Sequence, residues 1–230
     1  MESPSEKMEL LPAIEIETAP NPDSSVIWLH GLGADGHDFE PVVPELGLDG
    51  LAIRFVFPHA PTMPVTINGG MVMRAWYDVT DNAIRREDER GVRASQARVE
   101  ALIAREAGRG IAPSRLVLAG FSQGGAVALH TAVRRAAPLA GIMALSTYLP
   151  LADRAAGEAH AASRGVPVFM AHGSGDPVIP IARAVSSRDA LTALGFQVEW
   201  HQYSMPHSVS PGEIQDIGVW LRRVLRPAQT

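Results

Sequence analysis

The sequence predicts an α/β domain, with a mostly parallel central sheet and helices on both faces. Short apolar runs alternate along the chain with longer segments of helical spacing, which is typical of parallel strands joined by helices. Most of these runs are apolar throughout, as in strands covered on both sides. Glycines and unusual polar residues follow several of the runs, at the strand ends where such sheets carry their binding sites.

Seven strands are predicted. The first, at residues 13–18, alternates apolar and polar residues as an edge strand does. The second, at 26–30, is almost wholly apolar and therefore typical of a buried strand. The third, at 51–57, is stopped by Pro58, which cannot donate a backbone hydrogen bond. Four further strands are predicted at residues 115–119, 141–145, 166–171 and 197–203.

Helices are predicted between these strands. The segment 91–107 has Val92, Val99, Leu102 and Ile103 near one stripe and charged residues on the opposite face. Four other helices are predicted: a short one around residues 39–46, an alanine-rich one at 126–133, and two more at 180–194 and 211–225. Two stretches, 59–80 and 146–165, show no clear periodicity and are expected to be irregular.

One domain accounts for the 230 residues. We expect a flexible N-terminal tail at residues 1–12, a single domain at 13–226 and a C-terminal tail at 227–230. The connection at residues 146–165 is too short for a separate cap domain. We therefore expect an open groove above the sheet.

Composition excludes several classes of protein. The apolar fraction of 46% and the charged fraction of 20% are those of a globular protein. A net charge of −5 argues against binding to nucleic acid or to an anionic membrane surface. Cysteine is absent, which excludes a thiolate nucleophile.

No apolar run approaches the roughly 18 residues of a membrane span, and no apolar signal core precedes the domain. We expect a cytoplasmic protein without integral membrane association.

Residues 120–124, with the sequence G-F-S-Q-G, lie between a predicted strand and a predicted helix. This is the layout of a nucleophile elbow, in which a serine occupies a strained turn between small neighbours. At the first turn of the helix, Ser122 is expected near unpaired N–H groups that stabilise a developing oxyanion. Ser122 is therefore the candidate nucleophile.

A serine nucleophile needs a histidine base, and the base needs an acid that orients it. Elbow-type folds supply these residues in the order serine, acid, histidine. Asp176 is the candidate acid because it lies on a glycine-rich turn directly after a strand. His207 is the candidate base because it lies in the loop after the last strand, whereas His130, His160 and His201 are expected to be structural.

Four segments resemble signatures of the phospholipase/carboxylesterase family of α/β-hydrolases, which includes acyl-protein thioesterases. The segments are L-H-G-L-G-A at residues 29–34, G-F-S-Q-G-G at 120–125, H-G-S-G-D-P-V at 172–178 and P-H-S at 206–208. A fifth segment, N-G-G-M-V-M-R-A-W-Y-D at 68–78, resembles the segment after the proline-rich loop in bacterial carboxylesterases of this group. The resemblance spans roughly residues 25–222 and is strongest to bacterial carboxylesterases. It implies the α/β-hydrolase fold without a large cap domain.

The resemblance also implies an activity. Ser122, Asp176 and His207 would form the catalytic triad, and the backbone N–H groups of Leu32 and Gln123 would form the oxyanion hole. The expected reaction is hydrolysis of carboxylic esters with short to medium acyl chains, through an acyl-enzyme on Ser122. Acyl-protein thioesterase or lysophospholipase activity with the same triad is the alternative. No cofactor or metal is expected; the expected partners are a small-molecule or lipid-like ester and a second copy of the chain in a homodimer.

The irregular stretch 59–80 carries several large apolar residues beside proline and glycine. A buried irregular segment is hard to satisfy with hydrogen bonds, so we expect these residues to form an apolar wall of the acyl pocket rather than core. The predicted substrate-binding residues are Met63, Val65, Ile67, Met71 and Trp76, together with Val178 after the candidate acid.

Three other interpretations are open. Residues 31–36 fit the dinucleotide fingerprint G-x-G-x-x-G, although the acidic residue expected about 20 positions later is not in the required place. His30 and His172 each precede a glycine at a strand end, but no metal-ligand spacing accompanies them. In the third interpretation, the chain is a catalytically silent binding module. Such a module typically lacks the serine, the histidine or the acid, and this sequence has all three.

Overall fold

The computed structural model describes residues 10–81 and 87–226. The predicted C-terminal tail and most of the predicted N-terminal tail lie outside these ranges. A seven-stranded sheet forms the centre; in spatial order its strands are β1 (Ala13–Glu17), β3 (Ile53–Pro58), β2 (Ser24–Leu29), β6 (Leu116–Phe121), β7 (Gly141–Leu145), β8 (Pro167–Gly173) and β9 (Gln197–Tyr203). The edge strand β1 is antiparallel to β3, and all other neighbours in this sheet are parallel. The mostly parallel α/β architecture is confirmed.

The seven central strands agree with the prediction to within a few residues at each end. They are β1 at Ala13–Glu17, β2 at Ser24–Leu29, β3 at Ile53–Pro58, β6 at Leu116–Phe121, β7 at Gly141–Leu145, β8 at Pro167–Gly173 and β9 at Gln197–Tyr203. β2, β3 and β7 are buried along their whole length. This explains why their sequences are mostly apolar.

Five α-helices occur in the described residues, four between strands and the fifth after β9. They are α1 at Glu89–Gly108, α2 at Gln123–Val133, α3 at Ala152–Glu158, α4 at Ile181–Ala193 and α5 at Pro211–Val224, and a 3-10 helix covers Glu40–Leu46. Asp88 begins α1, where its side chain accepts a hydrogen bond from the Gly91 amide. Ser210 caps α5 in the same manner through the Glu213 amide.

Two hydrophobic clusters cover the two faces of the sheet. Alternate residues of one strand enter opposite clusters: in β2, Ile27 and Leu29 face α1 and α2, whereas Val26 and Trp28 face α5 and the 3-10 helix. The side-chain period of two along a strand produces this division. The sheet is therefore covered on both sides, and its strand ends are left for the site.

Residues 59–80 were expected to be irregular, but they contain regular structure. They contain an antiparallel hairpin of β4 at Thr62–Val65 and β5 at Met71–Arg74, joined by a 3-10 turn at Thr66–Asn68. Each strand is only four residues long, and most of their residues are exposed or half-buried. Without one buried face, the alternation of apolar and polar residues that identifies a strand is missing.

Residues 146–165 also contain more structure than expected. α3 and a 3-10 turn at Ala161–Ser163 lie within this connection. His160 packs its backbone against the end of α2, donating from its amide to the carbonyl of Val133 at 3.0 Å. Because α3 and this turn lie beside α2, the connection does not form a cap domain.

Candidate active site

Ser122 lies between β6 and α2 with φ 53° and ψ −118°. Residues other than glycine rarely adopt this backbone conformation. It costs on the order of 1–3 kcal/mol, and such residues cluster at functional sites. Several bonds hold it: the Ser122 amide donates to the carbonyl of Leu145 at 2.9 Å, and the Thr147 hydroxyl donates to the Ser122 carbonyl at 2.6 Å. The hydroxyl group of Ser122 is thereby held at the carboxyl end of the sheet.

The glycines of the elbow are required by close packing. A Cβ atom on Gly120 would overlap the backbone of Gly124 and Gly125, and one on Gly124 would overlap the carbonyl oxygens of Leu29 and His30. The start of α2 therefore lies directly against the ends of β6 and β2. This contact explains the small residues on both sides of Ser122.

Three side chains that are far apart in sequence form one chain of hydrogen bonds. Nε2 of His207 lies 2.9 Å from Oγ of Ser122, and Nδ1 of His207 lies 2.7 Å from Oδ2 of Asp176. An ionised carboxylate only accepts hydrogen bonds, so Nδ1 carries the proton and Nε2 is free to accept one from the serine. The structure thus brings together the three residues predicted as nucleophile, base and acid.

Asp176 is held at both carboxylate oxygens. Its Oδ1 accepts hydrogen bonds from the amides of Val178 and Ile179 at 2.8 and 2.9 Å, while Oδ2 faces His207. The Asp176 side chain is fully buried, and 16% of the His207 side chain is exposed. Burial of a carboxylate is tolerated where several donors surround it.

The loops that carry the acid and the base are joined to each other. The Ser174 amide donates to the carbonyl of Tyr203 at 2.8 Å, and the Gly175 amide donates to that of Met205 at 3.1 Å. The ring of Phe121 packs against the His207 ring, with centroids 4.8 Å apart. These contacts restrict the position and orientation of the imidazole.

His30 and His172 bind the backbone of neighbouring loops through their rings. Nδ1 of His30 donates to the Gly31 carbonyl at 2.7 Å, and Nε2 accepts from the Ala60 amide at 3.0 Å, which requires an unprotonated Nε2. Burial lowers the pKa of His30 to about 4. Nε2 of His172 donates to the carbonyl of Ile179 at 2.9 Å, and burial also lowers the pKa of His172.

The other histidines do not reach the serine. His130 is fully buried within α2. Nδ1 of His160 accepts a hydrogen bond from the Ala162 amide, and His201 contacts Glu199 on β9. Their expected structural positions are confirmed.

Leu32 and Gln123 both line the cavity beside Ser122. Gln123 is the first residue of α2, so its backbone N–H has no acceptor within the helix. Leu32 lies in the loop after β2, and the Gly33 amide joins this loop to the carbonyl of Arg74 at 2.9 Å. Two backbone segments with amide groups therefore meet next to the Ser122 hydroxyl.

The cavity has a volume of about 570 Å³ and opens over the triad. Its lining residues come from the loop after β2, the hairpin segment, the elbow and the loops that follow β7, β8 and β9; they are Gly31, Leu32, Ala34, Asp38, Ile67, Asn68, Tyr77, Val79, Asp81, Phe121, Ser122, Gln123, Tyr148, Pro177, Val178, Ile179, Pro180 and His207. Neither α3 nor the turn at Ala161–Ser163 contributes a lining residue. The expectation of a groove without a helical lid therefore agrees with this lining.

The predicted substrate wall is only partly in place. Ile67 and Val178 line the cavity, and 54% of Val178 is exposed. Val65 and Trp76 are core residues, with exposures of 0% and 2%, so the prediction that they form a pocket wall is wrong. The reason for Trp76 is that its indole Nε1 donates to the carbonyl of His30, which satisfies it in the interior. Val65 is the last residue of β4 and the one buried residue of that strand.

Met63 and Met71 are also outside the cavity lining, contrary to prediction. Met63 lies in β4 opposite Met73, and Met71 lies in β5 opposite Val65. Met71 is 63% exposed. The hairpin was not anticipated from the sequence, and neither Met63 nor Met71 is among the residues that line the cavity.

Sequence reasoning missed Tyr77 and Tyr148, whose hydroxyls lie 3.0 Å apart and whose side chains line the cavity. Burial raises the pKa of both phenols. The guanidinium of Arg183 lies 3.8 Å from the centre of the Tyr148 ring. Tyr148 follows the carboxyl end of β7 closely, and that position is the sequence signal that could have identified it.

The described ranges contain no cluster of three histidine, aspartate or glutamate residues arranged to hold a metal ion. Within the same ranges, no helix is both long enough and apolar enough to cross a bilayer.

Comparison with known proteins identifies similar chains. The family profile described as Phospholipase/Carboxylesterase matches residues 12–225. Acyl-protein thioesterase 1 of Gibberella zeae is 38% identical over 217 residues, covering 89% of this chain and 92% of that protein. Acyl-protein thioesterase 1 of Neurospora crassa is 39% identical over 221 residues, covering 90% and 87%.

Solved structures show the same similarity in three dimensions. The crystal structure of Arabidopsis thaliana SOBER1 has a TM-score of 0.83 and 30% identity, covering 88% of this chain and 99% of that one. The crystal structure of Zea mays acyl-protein thioesterase 2 has a TM-score of 0.82 and 28% identity, covering 94% and 100%. The Bacillus cereus carboxylesterase, at 19% identity and a TM-score of 0.76, shares the fold and covers 96% of each chain.

Proposed function

Because the chain belongs to the phospholipase/carboxylesterase family of α/β-hydrolases and is a serine ester hydrolase, we propose that Ser122, His207 and Asp176 are its catalytic triad. The observation that carries the proposal is the unbroken series of hydrogen bonds from Ser122 through His207 to Asp176, at the mouth of an apolar cavity. A catalytically silent binding module would not need this series of hydrogen bonds. In this chain all three of the residue types are present.

In the proposed acylation, Nε2 of His207 removes the proton from Oγ of Ser122 as Oγ attacks the carbonyl carbon. The backbone amides of Leu32 and Gln123 hold the oxyanion that forms on the carbonyl oxygen. His207 then donates the same proton to the leaving oxygen or sulfur, and the acyl group remains on Oγ. Asp176 stays ionised throughout and stabilises the imidazolium.

Deacylation reverses these roles with water as the nucleophile. Nε2 of His207 takes a proton from the water molecule as its oxygen attacks the acyl carbon. The second oxyanion collapses, the proton passes to Oγ of Ser122, and the carboxylic acid leaves. The reaction balances with no cofactor and no metal ion.

The proposed substrates are carboxylic esters with short to medium acyl chains. The cavity volume and the absence of α3 from its lining support this proposal, since ligand pockets of similar size bury molecules of drug size. Ile67, Val79 and Val178 supply apolar surface, and Tyr77 and Tyr148 supply a polar pair.

Acyl-protein thioesterase activity is the second candidate. The names of relatives with 38–39% identity over about nine-tenths of this chain favour it. A thiolate is a better leaving group than an alkoxide, so the same triad serves both reactions. Lysophospholipid hydrolysis uses the same chemistry. A homodimer and a cytoplasmic location stay predictions from the sequence.

The test compares Ser122→Ala with Ser186→Ala, which changes an exposed serine of α4. Wild type and Ser186→Ala should hydrolyse a p-nitrophenyl ester and become labelled by a fluorophosphonate, whereas Ser122→Ala should lose both properties. Wild-type activity in Ser122→Ala would overturn the assignment. A panel of acyl lengths on oxygen and sulfur leaving groups then separates the two candidate functions by kcat/KM.

A further inference from the structure

The loop at residues 31–36 carries the Leu32 amide and is attached to the domain at few points. Inside the loop, the Ala34 amide donates to the Gly31 carbonyl at 3.3 Å. The Gly33 amide donates to the Arg74 carbonyl at 2.9 Å. At the far end of the loop, the Gly36 amide donates to Nδ1 of His59 at 3.0 Å. A side chain, rather than backbone, is therefore the acceptor at the far end.

Gly36 lies directly on the end of β3. A Cβ atom at this position would overlap the carbonyl oxygen of Phe57 and press on the His59 ring. The contact leaves room for the backbone alone, so Gly36 lies tightly against the end of β3 and beside the His59 ring. Gly36 is therefore both the donor of the hydrogen bond to His59 and the point at which the loop packs most closely on β3.

We propose that His59 is a positioning residue for the oxyanion hole: its Nδ1 accepts the Gly36 N–H and so holds the Leu32 amide in place beside Ser122. His59 does not contact the reacting atoms. It acts through four residues of loop, since Gly36 is bound to His59 and Leu32 lines the cavity at the other end of the same segment. The inference rests on the proposed function and adds a residue to it.

The bond requires a neutral imidazole with an unprotonated Nδ1. Burial lowers the pKa of His59, and the nearby charges of Arg74 and His37 lower it further, while Asp35 acts in the opposite direction. Arg74 is itself fixed because its guanidinium donates to the carbonyl of Ala60 at 2.8 Å. At neutral pH the acceptor is therefore present.

Protonation of His59 would place an N–H group opposite the Gly36 N–H, and the bond would be lost. Activity then depends on two neutral imidazoles: that of His207, which acts as base, and that of His59. Substitution of His59 by a side chain that does not titrate leaves only the first.

Loss of this bond should affect the transition state more than substrate binding. The oxyanion forms only when Ser122 attacks, and donors aimed at it contribute to kcat and not to ground-state affinity. A displaced Leu32 amide therefore predicts a lower kcat with a nearly unchanged KM.

The experiment compares His59→Leu with His59→Asn. Leucine and asparagine have the same branched shape, but only asparagine has an acceptor atom where His59 has Nδ1. His59→Leu should lower kcat about 10- to 100-fold, and His59→Asn should stay within about threefold of wild type. The affinity for a trifluoromethyl ketone, whose adduct with Ser122 carries an oxyanion, should fall in His59→Leu by the same factor as kcat/KM.

His37→Leu is the matched control, because it removes a neighbouring histidine whose side chain is 67% exposed. It should retain wild-type kcat. In the pH profile, the acid limb of log kcat should steepen beyond a slope of one in wild type and in His37→Leu, but keep a slope of one in His59→Asn.

Equal kcat values in His59→Leu and His59→Asn would overturn the inference, whether both are high or both are low. If His59→Leu does not fold, Gly36→Ala replaces it, since the added methyl group would overlap the Phe57 carbonyl and so displace the same loop; a wild-type kcat in folded Gly36→Ala would also overturn it. Failure of the proposed function is distinct, because wild type itself would then hydrolyse no ester.

Discussion

The side chain of Gln123 is bound at both ends to the backbone of the segment that includes Trp76. Its Oε1 accepts from the Trp76 amide at 2.8 Å, and its Nε2 donates to the Tyr77 carbonyl at 2.7 Å. The residue next to the candidate nucleophile thus joins the start of α2 to the segment after the hairpin. Ser95 holds the same segment from α1, through a hydrogen bond from its hydroxyl to the Trp76 carbonyl.

Gln123→Ala should destabilise the protein by about 2–4 kcal/mol, because it leaves two buried backbone groups without partners. Urea denaturation measures this change. Gln202→Ala is the control, since Gln202 is exposed on β9 and its loss should cost less than about 0.5 kcal/mol. Equal midpoints for the two variants would contradict a structural role for the Gln123 amide.

Asp176→Asn should lower kcat by about 10⁴-fold, as the equivalent change does in a serine protease. An amide N–H facing Nδ1 favours the tautomer that has its proton on Nε2, so His207 can no longer accept from Ser122. Asp189→Asn, at a carboxyl that is 63% exposed on α4, should leave kcat unchanged. Steady-state kinetics decides, and a small loss in Asp176→Asn would show that another group orients His207.

Gly120→Ala should cost about 3 kcal/mol, because the added methyl group overlaps the backbone of α2. Gly157→Ala is the matched substitution: Gly157 lies in α3, and a methyl group there meets no atom within 4 Å. It should stabilise the protein by about 0.5 kcal/mol. Thermal unfolding of both variants tests the pair, and a neutral Gly120→Ala would show that the elbow can relax.

Glu213 is fully buried in α5, and burial raises the pKa of its carboxyl to about 8, with Asp216 acting in the same direction. The folded state therefore keeps a proton that the unfolded state loses near its ordinary pKa. The stability from the neutral acid is present at low pH and is lost as the pH rises towards 8.

Glu213→Gln keeps the shape of the side chain and does not titrate. Between pH 5 and pH 8.5, wild type should lose on the order of 3 kcal/mol more than this variant. The free energy of unfolding in urea at the two pH values measures the difference. Parallel changes in both proteins would mean that Glu213 is ionised in the folded state.

His130 produces the opposite dependence. Burial lowers its pKa to about 3, and the charges of Arg134 and Arg93 contribute in the same direction. The unfolded state takes up a proton that the folded state refuses, so stability is lost as the pH falls below about 6.5.

His130→Leu should remove this loss. Between pH 7 and pH 4.5, wild type should lose about 3 kcal/mol more than the variant. Comparison of the two pH values within each protein cancels the effect of the altered packing. An identical acid dependence in both proteins would contradict the prediction.

Part of this structure was predictable from local sequence alone. Strands such as β2 and β7 are buried on both faces, so their apolar character is visible in a few consecutive residues. The elbow was also predictable, because a strained turn between a strand and a helix requires glycines next to Ser122. The order of Ser122, Asp176 and His207 along the chain then identified the candidate acid and base.

The tertiary structure decided the features that depend on contacts between distant residues. Ser122 and His207 are 85 positions apart, and only the folded sheet sets their distance of 2.9 Å. The cavity wall was predicted incorrectly because Trp76 finds its hydrogen-bond acceptor in His30, 46 positions away, and is thereby accommodated in the core. Local periodicity reports whether a residue is buried within a regular element. It carries no information about which distant backbone group will satisfy a polar side chain, and for Trp76 that pairing determines its position in the core instead of the cavity wall.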